Sequence, residues 1–97
     1  MISLKSLYII EKSVHHYGEE LISTIAMEEC AELIQAISKH KRGKPDKGNM
    51  AEEIADVLIS IENMKYVAGI SDKKIQKWID YKQERSLKRV ENNTVGG

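Results

Sequence analysis

The chain contains no phenylalanine, one tryptophan, one cysteine and one proline in 97 residues. The lone cysteine, Cys30, excludes an internal disulfide and fits a reducing compartment. Its mid-helix position beside apolar neighbours reads as that of a small core residue. No apolar run approaches the ~20 residues that a bilayer span requires. The N-terminus lacks the basic start, apolar stretch and small-residue cleavage site of a secretory signal. Net charge is missing too: 15 basic and 15 acidic residues cancel. No global field therefore draws the chain to nucleic acid or to a membrane surface. The expectation is a soluble cytoplasmic protein with neither as a partner. Its length fits one domain with a modest core, over residues 1–91, followed by a frayed tail over 92–97.

What the chain does have is helical pattern. Leu4, Leu7, Tyr8 and Val14 predict a first helix from about Ser3 to Tyr17, closed by Gly18. A second runs from Glu19 to His40, with Lys39, His40, Lys41 and Arg42 at its negative end and Gly43 as its stop. The run Gly43-Lys44-Pro45-Asp46-Lys47-Gly48 is the one clear loop. Asn49 and Glu52 have the spacing of a capping box, which opens a third helix ending near Gly69. Ser71 is the next N-cap, Ile70 and Ile75 form a hydrophobic staple, and a fourth helix reaches about Val90. No strand pair and no internal repeat is apparent. The fold class is all-α and four-helix bundle-like, with two long antiparallel central helices set by the short loop between them.

Acids sit where a helix normally keeps its apolar face. Glu28, Glu29 and Glu32 cluster on the second helix, and Glu53 and Asp56 on the third. With Leu21 at zero, Ile25, Ala36, Ile22 and Leu33 fall from about 40° to 120°. Glu32 at about 20° and Glu29 at about 80° lie in that arc, while Glu28 near 340° sits at its polar edge. On the third helix Asp56, Ser60, Asn63 and Glu53 make a polar strip from about 280° to 0°, with apolar residues on both sides. Stacked like charges repel, and a hard divalent cation with oxygen ligands is the usual remedy. Level placement on two antiparallel helices would converge Glu29, Glu32, Glu53 and Asp56 on one volume fit for Mg²⁺ or Mn²⁺. A solvated acidic face is the bland alternative, and the apolar flanks weigh against it.

The fourth helix carries the opposite charge. Ile75, Trp78 and Ile79 define an inner stripe, which Lys82, Arg85 and Arg89 continue toward the C-terminus. Two readings fit: an anionic partner such as phosphate, or basic stems lying over the bundle end with their heads in water. Trp78 reads as core.

The pattern Glu28-Glu29-x-x-Glu32, a gap of 20 residues, then Glu53-x-x-Asp56 resembles the EExxE…ExxD signature of MazG-like nucleotide pyrophosphohydrolases. These belong to the all-α NTP pyrophosphatase superfamily, with dimeric dUTPases and phosphoribosyl-ATP pyrophosphatases. The likeness runs from about Tyr17 to Arg89, and Lys82-x-x-Arg85 looks like the family's basic final helix. It implies Mg²⁺-dependent cleavage of a nucleoside triphosphate between the α and β phosphates. By that resemblance Glu29, Glu32, Glu53 and Asp56 hold the metal, with Mn²⁺ able to substitute. Glu28 is either a further ligand or orients the attacking water. Lys82 and Arg85 hold phosphates, and Asn63 is a weaker candidate for a substrate contact. The aromatic candidates for base stacking are Tyr8, Tyr17, Tyr66, Trp78 and Tyr81.

Two rivals stand beside this. A carboxylate-bridged di-iron bundle needs Glu-x-x-His, and His15, His16 and His40 lie outside both clusters. A non-catalytic dimeric helical module with a vestigial metal site is opposed only by the completeness of the acid set. Assembly is expected on either reading. Cys30, Leu33, Ile34 and Ile37, with Ala55, Ile59 and Tyr66, leave more apolar surface than the short first helix can cover. A homodimer or homotetramer follows.

Overall fold

The computed structural model describes residues 7–92. Four helices follow one another: α1 (Leu7–Tyr17), α2 (Glu19–Lys41), α3 (Lys47–Ala68) and α4 (Asp72–Glu91), with no strand among the described residues. The predicted start of the first helix at Ser3 and the tail beyond Asn92 lie outside them. None of the helices is long and apolar enough to cross a membrane.

Local chemistry sets the joints. Gly18 alone separates α1 from α2, and its φ of 86° is left-handed backbone that a side chain would resist. Its amide donates to Val14 O, and its carbonyl accepts from Ile22 N, so the last bond of α1 and the first of α2 meet at one residue. At the other end of α3, Gly69 adopts φ 66° and ψ 38°. Ile70 N donates to Lys65 O and Gly69 N to Tyr66 O, the paired bonds of a Schellman stop. Ser71 caps α4 as expected, its Oγ accepting from Lys74 N at 3.2 Å. The start of α3 differs from the capping box predicted at Asn49. Asp46 is the N-cap, and its carboxylate accepts from Asn49 N at 3.0 Å. Asn49 is thus a donor inside the first turn, and the helix begins before it.

Packing is unequal. α2 and α3 lie side by side and α1 covers part of both, but no Cα of α4 comes within 8 Å of one in another helix. The radius of gyration is 16.3 Å, against about 12–13 Å for a compact domain of this length. A four-helix bundle-like arrangement is therefore not formed within one chain: three helices make the body and the fourth stands off. Among the described residues the buried core is correspondingly small, comprising Val14, Ile22 and Ala36 with Ser60.

The standing-off of α4 overturns two expectations. Trp78, read as core, is 57% exposed. Cys30 is exposed as well. It lines an open groove of about 340 Å³ with Ala26, Val57, Ile61, Met64 and the staple residues Ile70 and Ile75. Nothing among the described residues fills that groove, and α4 leaves the body beside it at Ser71.

Candidate metal centre

α3 buries its polar strip along with part of its apolar sides, Val57, Leu58 and Met64 being half-buried too. Ser60 is buried, and Glu53, Asp56 and Asn63 are half-buried. Ile54 and Ile61 on one flank and Ile59 on the other remain largely exposed. An acidic stripe thus occupies the inter-helix seam, where the hydrophobic effect alone would have placed isoleucine.

On α2 the seam is centred near Glu29. Ile22 and Ala36 are buried, and Ile25, Ala26, Glu29 and Leu33 are half-buried. Glu29 falls in the middle of that arc, while Glu32 lies at its margin, in line with the exposed Leu21 three turns earlier, and is itself exposed. A few tens of degrees of helix rotation decide which of two neighbouring acids enters the seam.

Three carboxylates consequently gather. Oxygens of Glu29, Glu53 and Asp56 lie within 4.8 Å of one another, and all three residues are half-buried. Glu53 and Asp56 are one helical turn apart on α3, and Glu29 faces them from α2. Glu53 Oε2 is shut off from solvent and has no hydrogen-bond donor. A buried carboxylate oxygen without a partner is costly and calls for a compensating charge.

The electrostatics agree. Burial raises the Glu29 carboxyl above its ordinary value, and hydrogen bonding to Asp56 and repulsion from Asp56, Glu53 and Glu32 raise it further. Glu53 is raised first by burial and then by Glu32, Asp56 and Glu52, with Lys39 opposing. Oxygen donors alone, with no imidazole or thiolate among them, suit a hard divalent cation such as Mg²⁺, Mn²⁺ or Ca²⁺ rather than Zn²⁺.

The remaining candidates are placed unevenly. Glu32 stays outside the trio yet close enough to push on Glu29 and Glu53. Glu28 is exposed beside them on α2. Asn63 continues the α3 strip two turns beyond Asp56. Lys82 is exposed and Arg85 half-buried on α4, which does not approach the seam. Arg85 Nε is shielded from solvent without an acceptor.

Two residues escaped the sequence reading. Lys39, the cation that tempers Glu53, was assigned only to the helix end. Lys65 binds Glu62 at 2.8 Å and also pairs with Asp72, joining the end of α3 to the start of α4. The Glu62-x-x-Lys65 spacing was a visible signal for the first pair; nothing local announced the second.

No curated protein and no solved structure matches the chain. The MazG nucleotide pyrophosphohydrolase domain matches residues 18–81, a stretch that holds Glu28, Glu29, Glu32, Glu53, Asp56 and Asn63 and stops before Lys82 and Arg85. With about two thirds of its length matched, a stretch that includes both acidic clusters, the chain belongs to the MazG nucleotide pyrophosphohydrolase domain family.

Proposed function

We propose that this protein is a Mg²⁺-dependent nucleoside triphosphate pyrophosphohydrolase, releasing nucleoside monophosphate and pyrophosphate. The observation that carries the reading is the seam trio, Glu29, Glu53 and Asp56, with an orphaned buried oxygen on Glu53. These three would hold Mg²⁺ or Mn²⁺, with the exposed Glu32 joining them from the margin. A bound divalent ion supplies neutralisation of phosphate oxygens and acidification of a water. Glu28, exposed at the edge, serves as an outer ligand or steadies the attacking water. Lys82 and Arg85 hold the phosphates and stabilise charge on the departing pyrophosphate. Asn63 contacts substrate from farther along the strip.

One chain does not bring those cations to the acids, so the working unit is a homodimer or homotetramer. Its support is the exposed flank of α2 and α3, including Ile34, Ile37, Ile54 and Ile59, together with the unfilled groove beside Ile75. The antiparallel α2–α3 pair forms its centre, and α4 of one copy reaches the seam of another. A single domain over residues 1–91, acting in the cytoplasm on free nucleotides without nucleic acid or membrane, completes the reading.

The test is pyrophosphate release from a panel of ribo- and deoxyribonucleoside triphosphates with and without Mg²⁺. Activity on at least one, lost in chelator and reduced by orders of magnitude in Asp56→Ala, supports the proposal. Undiminished release from Asp56→Ala, or in excess chelator, overturns it.

A further inference from the structure

α4 is two-sided in charge. Viewed down its axis from Trp78, the residues Lys74, Tyr81, Lys82, Arg85 and Arg89 all project within about 60°. The acids Asp72, Asp80, Glu84 and Glu91 project at about 120° or more. An acid-free stripe of cations with two aromatic rings set among them therefore runs the length of a helix that none of the other three described helices approaches. The apolar residues Ile79 and Val90 lie to one side of the stripe, so a neighbouring copy can pack on them and leave the stripe open.

The rings are arranged rather than scattered. Trp78 and Tyr81 meet edge to face, with centroids 6.1 Å apart and planes at 89°. The Arg85 guanidinium lies 5.8 Å from the Tyr81 ring, and its Nε is shielded without an acceptor. Trp78 and Tyr81 are each 57% exposed, an expense for an aromatic pair. A flat apolar face next to fixed cations is the recognition chemistry of a nucleotide, because every base has a π-face to stack and every phosphate an oxygen to offer. From Trp78 to Arg85 is seven residues, about 10 Å along the helix axis, enough to hold a base at one end and the outer phosphates at the other.

We propose that Trp78 and Tyr81 form the base-stacking platform for the nucleotide, with its phosphates running along α4 to Lys82, Arg85 and Arg89. The inference rests on the nucleoside triphosphate reading and adds to it the residues that grip the base. Stacking of this kind is tolerant of base identity, so the platform supplies affinity for all four nucleotides and discriminates them from bare polyphosphate.

Trp78 is the only tryptophan, so intrinsic fluorescence reports on the platform directly. The full chain, kept metal-free with chelator so that no turnover intervenes, is titrated with ATP, GTP, CTP or UTP, and separately with inorganic tripolyphosphate. Saturable quenching by the nucleotides, absent with tripolyphosphate, is expected. Tyr81→Ala should weaken nucleotide binding about tenfold. In Mg²⁺ it should raise KM with kcat retained, and Tyr81→Phe should restore KM. Circular dichroism checks that α4 stays helical. An unresponsive Trp78, equal quenching by tripolyphosphate, or an unchanged Kd in Tyr81→Ala overturns the proposal. Failure of the two readings is distinguishable. A chain that quenches but releases no pyrophosphate keeps the platform and loses the hydrolysis. One that hydrolyses with wild-type KM in Tyr81→Ala keeps the hydrolysis and loses the platform.

Discussion

Glu29 of α2 and Asp56 of α3 place carboxylate oxygens within 4.8 Å of each other across the helix seam, with Glu53 completing the group. The proximity is a cost carried by the fold, since half-buried like charges repel and Glu53 Oε2 has no donor. Metal should repay it. Thermal unfolding of the wild type is expected to shift upward with Mg²⁺, by an amount equivalent to about 2.7 kcal/mol when the ion is at 100 times its Kd. Asp56→Asn should melt higher than wild type in chelator and gain little from Mg²⁺. An equal Mg²⁺ shift in both proteins would place the ion elsewhere.

The same group sets the response to pH. Glu29 and Glu53 have folded-state pKa values above the ordinary 4.5. Protonating them therefore favours the folded chain: that stability is fully present below about pH 4.5 and is lost as pH rises through the raised values. Metal-free protein should accordingly gain stability on mild acidification from neutrality, where most proteins with paired carboxylates lose it. Excess Mg²⁺ should reverse the slope, because protons then compete with the ion. Glu53→Gln should flatten the metal-free dependence. Melting curves at several pH values, with chelator and with Mg²⁺, test all three outcomes.

Lys65 ties Glu62 near the end of α3 to Asp72 at the start of α4 across the Gly69 turn. Its ammonium is held above the ordinary 10.5, first by hydrogen bonding to Asp72 and then to Glu62, against a smaller opposing effect of burial. That contribution is present below the ordinary value and lost as pH climbs through the higher folded one, so neutral pH keeps it whole. Asp72 is largely exposed, so Lys65→Met should cost only about 0.5–1 kcal/mol in global stability. Its larger effect should be on α4 itself. Spin labels on α3 and α4 should show a broadened distance distribution in Lys65→Met, and KM should rise. An unchanged distribution would mean that the Gly69 turn fixes the angle unaided.

The helices and their ends were legible in the sequence because their signals are local. Glycine at 18 and 69 and the Ser71 cap each act within one turn. The start of α3 was misjudged because Asp46 and Asn49 both have cap chemistry, and only three-dimensional geometry selects the acceptor. The acidic seam was legible too, since Glu29 and the Glu53–Asp56 pair break the amphipathic rule. The separation of Glu29 from Glu32 was not. It turns on the rotation of α2 against α3, which no spacing rule fixes to a few tens of degrees. Trp78 and Cys30 illustrate a related limit of pattern: it says that a face is apolar but not which surface covers it, and none of the other three described helices approaches α4.

That uncovered helix carries the final prediction. If α4 completes the seam of a neighbouring copy, Asp56→Ala and Arg85→Ala damage the same site from different chains. Each variant alone should be nearly inactive. Mixed, unfolded together and refolded, they form a heterodimer in which the intact seam of one chain receives the intact α4 of the other. With random pairing in a closed two-fold dimer, half the dimers hold one restored site of two, so about a quarter of wild-type activity should return. Should α4 instead serve its own chain, every seam in the mixture remains defective and no activity returns. Light scattering on the same samples fixes the assembly. Ile59→Lys, which puts a charge on the exposed flank of α3, should dissociate the wild-type assembly and lower activity together with mass. A wild-type monomer at micromolar concentration would refute the shared site directly.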